Sequence, residues 1–101
     1  MMVQLSIVPI SENVSMSDAI ARAVKIVHDS GLEYRLTPMG TLIKGEWNEV
    51  MKVVKQCHDA VRAEFDRVWT TIKIDEVKDR DVSFDDKIKS VESKANMEFR
   101  K

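Results

Sequence analysis

Apolar and polar residues alternate through Val3-Gln4-Leu5-Ser6-Ile7-Val8, with Val3, Leu5 and Ile7 on one side and Gln4 and Ser6 on the other. A period of two marks a strand with one buried face. Pro9 has no N–H to give a ladder and closes the strand. After a Ser- and Asn-rich loop over 11–17 the period changes. Ile20, Ala23, Val24 and Val27 recur at helical spacing up to about Asp29. Ser15 followed by Asp18 fits a capping box, with Ser17 as the alternative N-cap. Gly31 stands where a left-handed C-terminal cap is expected.

A short strand over 32–36, the turn Thr37-Pro38-Met39-Gly40 and a strand from 41 to about 46 form a hairpin. A second helix carries Trp47, Val50, Met51, Val54, Cys57 and Val61 on one stripe, with Lys52, Lys55, Gln56 and Asp59 opposite. The segment 66–75 reads as one long strand. Val68, Thr70, Ile72 and Ile74 share one face, and Trp69, Thr71, Lys73 and Asp75 share the other. A charged loop over 76–82 leads to a last helix from Ser83, which forms a capping box with Asp86. Its stripe is Phe84, Ile88, Val91, Ala95 and Phe99.

The order β-α-β-β-α-β plus a helix predicts an α+β, ferredoxin-like fold, a four-stranded antiparallel sheet with two helices on one face and an additional C-terminal helix. The other face then carries Gln4, Ser6, Trp69, Thr71, Lys73 and Asp75. It mixes hydroxyls, an amide and charges with an aromatic ring, a surface suited to a second subunit or a small ligand. The amphipathic last helix adds to the expectation of a homo-oligomer.

Composition narrows the function classes. The 101 residues make a single domain. With 16 basic and 17 acidic residues, the chain lacks the basic excess that nucleic-acid binding needs. No apolar run reaches the roughly 20 residues that span a bilayer, and no secretory leader is recognisable, so neither membrane nor secretion is expected. The single cysteine, Cys57, excludes an intrachain disulfide, and no Cys/His spacing fits zinc, so the default address is the cytoplasm. Cys57 and His58 are adjacent on a helix and diverge by roughly 100°, which suits neither a shared metal nor a nucleophile–base pair. No catalytic residue is expected.

An ordered set of short segments resembles one family along essentially the whole chain. The set comprises Val8-Pro9, Ser30-Gly31-Leu32-Glu33-Tyr34, Met39-Gly40-Thr41 with Gly45, Gln56-Cys57-His58-Asp59-Ala60-Val61 and the strand 66–75. It is similar to the small thiamine-binding proteins, relatives of hydroxymethylpyrimidine-binding domains. The resemblance implies a ferredoxin-like subunit in a dimer of dimers, with thiamine or its pyrimidine moiety near a subunit interface and no catalysis. Thiamine would be a bound ligand rather than a cofactor. The chain departs from the family hairpin, which commonly reads Thr-x-Ile-Glu-Gly, by placing Lys44 before Gly45, and it has Val77 where an arginine is often found.

On that resemblance, Thr41, Ser6 and Gln4 are the expected hydrogen-bonding residues for a pyrimidine. Glu46 or Asp75 would supply negative charge, and Tyr34 or Trp69 a stacking surface. Each has a simpler structural role open to it: strand propensity for Thr41, interface polarity for Ser6 and Gln4, helix-start charge for Glu46, packing for the aromatics. Lys73 is expected to pair with a carboxylate across strands. A regulatory oligomerisation module with another ligand or none is the alternative reading. A hydrolase of acyl phosphates ranks last, because residues 9–17 hold neither glycine nor a basic residue.

Overall fold

The computed structural model describes residues 1–12 and 15–101; residues 13 and 14 of the expected loop over 11–17 lie outside them. The elements are β1 (Met2–Pro9), α1 (Met16–Asp29), β2 (Glu33–Thr37), β3 (Gly40–Lys44), α2 (Trp47–Arg62), β4 (Val68–Asp75) and α3 (Asp86–Ala95). The strands form one antiparallel sheet in the order β2-β3-β1-β4, the ferredoxin-like arrangement.

Register assigns every side chain to a face. Val3 lies opposite Ile43 and Ile74, and Leu5 opposite Thr41 and Ile72, so these rows face the helices. Gln4 lies between Leu42 and Lys73, and Ser6 opposite Thr71, on the open face. The alternation of β1 is thus realised residue by residue. The core is Val3, Leu5 and Ile7 under Ala23 and Val27 of α1 and Val50, Val54, Cys57 and Val61 of α2. Burying each such aliphatic side chain is worth about 1.5–3 kcal/mol. His58 joins α2 to β4, its Nδ1 lying 2.6 Å from Thr70 Oγ1.

Several expectations shift. Trp47 is 50% exposed rather than buried, because it begins α2 where the helix overhangs the sheet; the buried stripe starts at Val50 and includes Val53. In α1, Ala19 enters the core while Ile20 stays exposed. Ser15 is the N-cap of α1, but its hydroxyl bonds Ser17 Oγ at 2.8 Å and caps no backbone amide, so the box with Asp18 does not form. At Ser83 only one arm of the box forms, Ser83 N donating to Asp86 Oδ2 at 3.4 Å; Ser83 Oγ accepts from Asp85 N at 3.1 Å instead, and α3 begins at Asp86 with Asp85 as its N-cap rather than at Ser83. α3 ends at Asn96 in a left-handed conformation, so Phe99 lies beyond the helix. None of the residues of α3 is buried.

The segment after β4 therefore works as a strap. Val82 is buried, and ion pairs tie the strap to the open face of the hairpin, Arg35 to Asp85 at 2.9 Å and Lys44 to Asp81 at 2.8 Å. Phe84 lies beneath the Arg35 guanidinium, 5.3 Å from ring centre to carbon.

Candidate functional site

Four of the seven predicted site residues line two concave regions on opposite faces of the sheet. The first is a cavity of about 300 Å³ between α1 and the β2–β3 hairpin. It forms because β1 outruns its neighbour. The β1–β3 ladder ends at Leu5 opposite Thr41, leaving Ser6, Ile7 and Val8 with no β3 residue beside them. The cavity opens in that gap, walled by Leu5, Ile20, Val24, Leu36, Met39 and Thr41. Gly40 turns the chain at its mouth with φ at 148°, and a Cβ there would lie 2.8 Å from the Leu5 carbonyl oxygen. Glycine is required on both counts.

Thr41 faces the helices, not the open face as expected, because it is in register with Leu5 and Leu36. At 6% exposure it is the buried polar side chain of the described residues. Among those residues its hydroxyl has no hydrogen-bond partner, yet the oxygen is not sealed from the cavity. Thr37, also at the rim, is already committed, donating to the Gly40 carbonyl at 2.7 Å and accepting from Met39 N at 3.2 Å. Among the described residues no charged side chain lines this cavity. A neutral flat ring with hydrogen-bonding groups suits it; a bare cation would be costly there.

Ser6 touches the same cavity from the exposed edge of β1. Gln4 and Asp75 do not: they line a cleft on the open face, beneath α3. Glu46 stands at the start of α2, the far end of β3 from the cavity, roughly 15 Å from Thr41 by strand geometry. It shares a surface hollow with Glu33, Lys44 and Asp81. Tyr34 packs against the core, and its hydroxyl is 2.8 Å from His28 Nδ1. Trp69 is 60% exposed on the open face, below the Arg67 guanidinium at 5.5 Å. The seven residues therefore do not converge. Thr41 and Ser6 meet in the cavity, Gln4 and Asp75 in the cleft, and the other three meet neither. Lys73 has no carboxylate partner among the described residues and lies opposite Gln4.

The sequence reading missed Met16, Leu36 and Met39 at the cavity. Their signal was an apolar stripe on α1 wider than the sheet can cover, and a methionine in a turn where polar residues are usual.

Lys44 has its side chain 17% exposed and is held by Asp81 at 2.8 Å and Glu33 at 3.5 Å. Hydrogen bonding to Asp81 raises its pKa, and hydrogen bonding to Lys44 holds the Asp81 carboxyl below its ordinary value. Cys57 is a structural thiol: Sγ donates to the Ala23 carbonyl at 3.3 Å, and burial pushes its pKa up to about 11. Among the described residues no cluster of His, Cys, Asp and Glu could hold a metal, and no helix is long and apolar enough to cross a membrane.

Known proteins with this architecture and sequence pattern are numerous. A UPF0045 protein of Methanothermobacter thermautotrophicus is 38% identical over 94 residues, spanning 90% of this chain and 95% of the relative. UPF0045 protein sll0230 of Synechocystis is 36% identical over 92 residues, 90% of this chain and 76% of the relative. The crystal structure of the hypothetical protein MJ1052 of Methanocaldococcus superposes with a TM-score of 0.81 at 30% identity, covering 89% of this chain and 93% of that one. The Thermotoga maritima protein TM0486, whose proposed role is thiamine biosynthesis or salvage, superposes with a TM-score of 0.79 over 89% of this chain and 96% of its own; at 23% identity that likeness establishes the fold alone. The family profile described as thiamine-binding protein matches residues 3–92, and the chain belongs to that family.

Proposed function

We propose that this chain is a non-enzymatic binding protein for thiamine or its hydroxymethylpyrimidine moiety, with the pyrimidine seated in the hairpin cavity. The observation that carries the reading is Thr41, a buried residue whose hydroxyl opens onto an apolar space about as large as the smallest ligand pockets. An aminopyrimidine offers ring nitrogens that accept and an amine that donates, and a hydroxyl answers either. The uncharged walls favour a thiazolium cation at the rim over one inside. Family membership supports the ligand class.

The rim also supports a subunit-interface site. Leu36, Met39, Met16 and Ile20 surround the cavity and are exposed in the single chain. A neighbouring subunit covering them would close the site over the ligand. Further exposed apolar residues, Ile72 and Ile74 on edge strand β4, give a homo-oligomer, read as a dimer of dimers, a second contact surface.

Calorimetric titration with thiamine, its phosphate esters and the free pyrimidine tests this. The expected result is saturable binding near one ligand per subunit or per interface, with the free pyrimidine retaining most of the affinity, and loss of binding in Thr41→Val. No heat at millimolar thiamine, from protein shown to be folded and oligomeric, overturns the reading.

A further inference from the structure

We propose that the cleft between the open sheet face and α3 is a second ligand site, distinct from the hairpin cavity, for an anion carried on a flat apolar body. The cleft has a volume of about 1040 Å³. Its floor is the row Leu42, Gln4 and Lys73 across three neighbouring strands. Its roof is the face of α3 that carries Lys87, Ile88, Val91 and Lys94, with Phe84 ahead of it. The helix does not settle onto the sheet. Val91 turns toward the floor yet remains 52% exposed, and α3 buries none of its residues. The strap is held at its hairpin end by the Arg35–Asp85 and Lys44–Asp81 ion pairs, so the gap is spanned and not collapsed.

Charge selects the occupant. Lys73, Arg80, Lys87 and Lys94 line the cleft against Asp75 and Asp86. None of the four cations forms an ion pair with a described residue, whereas three strap acids are committed elsewhere: Asp81 to Lys44, Asp85 to Arg35 and Glu92 to Lys101. A second copy of this chain pressed two-fold against the cleft would set the cation excess against itself. An anionic ligand relieves it, with charge-assisted hydrogen bonds from the ammonium groups and the Gln4 amide as a neutral donor. The apolar strip of Leu42, Phe84, Ile88 and Val91 accommodates a ring system. The chemical class is an aromatic or heteroaromatic compound bearing a phosphate or sulfonate group.

The test uses the whole protein and 8-anilinonaphthalene-1-sulfonate, a flat aromatic sulfonate, as the probe. Saturable fluorescence enhancement is expected from folded protein, with affinity reduced at least tenfold in Lys73→Glu/Lys87→Glu and unchanged in Thr41→Val. Adenosine monophosphate is expected to displace the dye and inorganic phosphate to fail, showing that the ring and the anion are both read. Three outcomes overturn the proposal: unchanged affinity in the double charge reversal, loss of dye binding in Thr41→Val, or tighter self-association by sedimentation in the double variant with no dye binding to the parent protein. The last would assign the cleft to a second copy. Thiamine binding is measured separately on the same proteins, so failure of either site leaves the other decided on its own data.

Discussion

Lys44 Nζ lies 2.8 Å from Asp81 Oδ2, joining the end of β3, at the open end of the hairpin, to the strap that follows β4. The family's usual acid at this position would stand beside Glu33 and Asp81, so the lysine changes a repulsion into a tie. Lys44 is on the open face, opposite Met2 and Glu33, and is no part of the hairpin cavity. Its substitution in the family pattern therefore bears on the strap and not on the cavity.

Lys44→Glu is expected to release the strap while the sheet and helices persist. Hydrogen exchange over 76–95 should speed up, with β1 and α2 unchanged. Equal acceleration throughout would show that the pair supports the whole fold.

The same pair fixes a pH dependence. The Asp81 and Asp85 carboxyls are both held below the ordinary 3.8, first by their hydrogen bonds to Lys44 and Arg35. A depressed folded-state pKa contributes stability that is present above the unfolded value and lost as pH falls through the folded one. Lys44, raised above 10.5, contributes stability present below that value and lost as pH rises through its folded pKa. Strap protection is thus expected to be flat between these limits, to fall only below pH 3.8 or above 10.5, and to be small because the acids are largely exposed. Exchange measured across that range checks it.

Thr41→Val is expected to leave the stability of the free protein within about 1 kcal/mol, since it keeps the side-chain shape and removes a hydroxyl that opens onto the cavity. The thermal shift produced by thiamine should vanish at the same time. A variant that melts several degrees lower would show that the hydroxyl is structural.

Gly40→Ala meets two obstacles, a positive φ and the Leu5 carbonyl oxygen at 2.8 Å. A cost of about 1–3 kcal/mol follows, read by denaturant unfolding. Since Gly40 borders the cavity, weaker thiamine binding should accompany it.

Ile43 and Trp47 contrast burial with size. Ile43 is fully buried under both helices, and Ile43→Ala is expected to cost about 2–5 kcal/mol. Trp47, half exposed at the start of α2, should cost well under half as much when changed to alanine, although it is the larger side chain. Comparable losses would place the indole in the core.

What was readable in the chain divides along physical lines. Strand and helix periods record which face is buried, so the alternation of β1 and the Val50-Val54-Cys57-Val61 stripe pass directly into the fold. Register does not follow from period. Thr41 falls in the strand predicted for it, which begins one residue earlier at Gly40, but only pairing with Leu5 decides that it looks inward, and that pairing belongs to a residue 36 positions earlier. The extent of cover is equally invisible: Ile20 and Val24 repeat as core residues should, yet they reach past the end of β3 and line a cavity. The capping boxes show the same limit. At Ser83 one arm forms, ahead of an N-cap at Asp85, and at Ser15 neither forms, the serine hydroxyl bonding that of Ser17 instead.

The strand order sets the tempo of folding. β1 precedes the other three strands of the sheet in the chain and is one of its two inner strands, with β3 on one side and β4 on the other. Its row of Val3, Leu5 and Ile7 finds no neighbouring strand until the hairpin has been synthesised, and none on its other side until β4 emerges. Those late pairings between distant parts of the chain carry the loop-closure cost that slows folding. During synthesis the nascent chain thus trails an apolar strand with both edges unpaired, a template for association between nascent copies and a natural ligand for a chaperone. Moving β1 to follow β4 by circular permutation would remove that interval and bring β1 closer along the chain to β4, while lengthening its separation from β3.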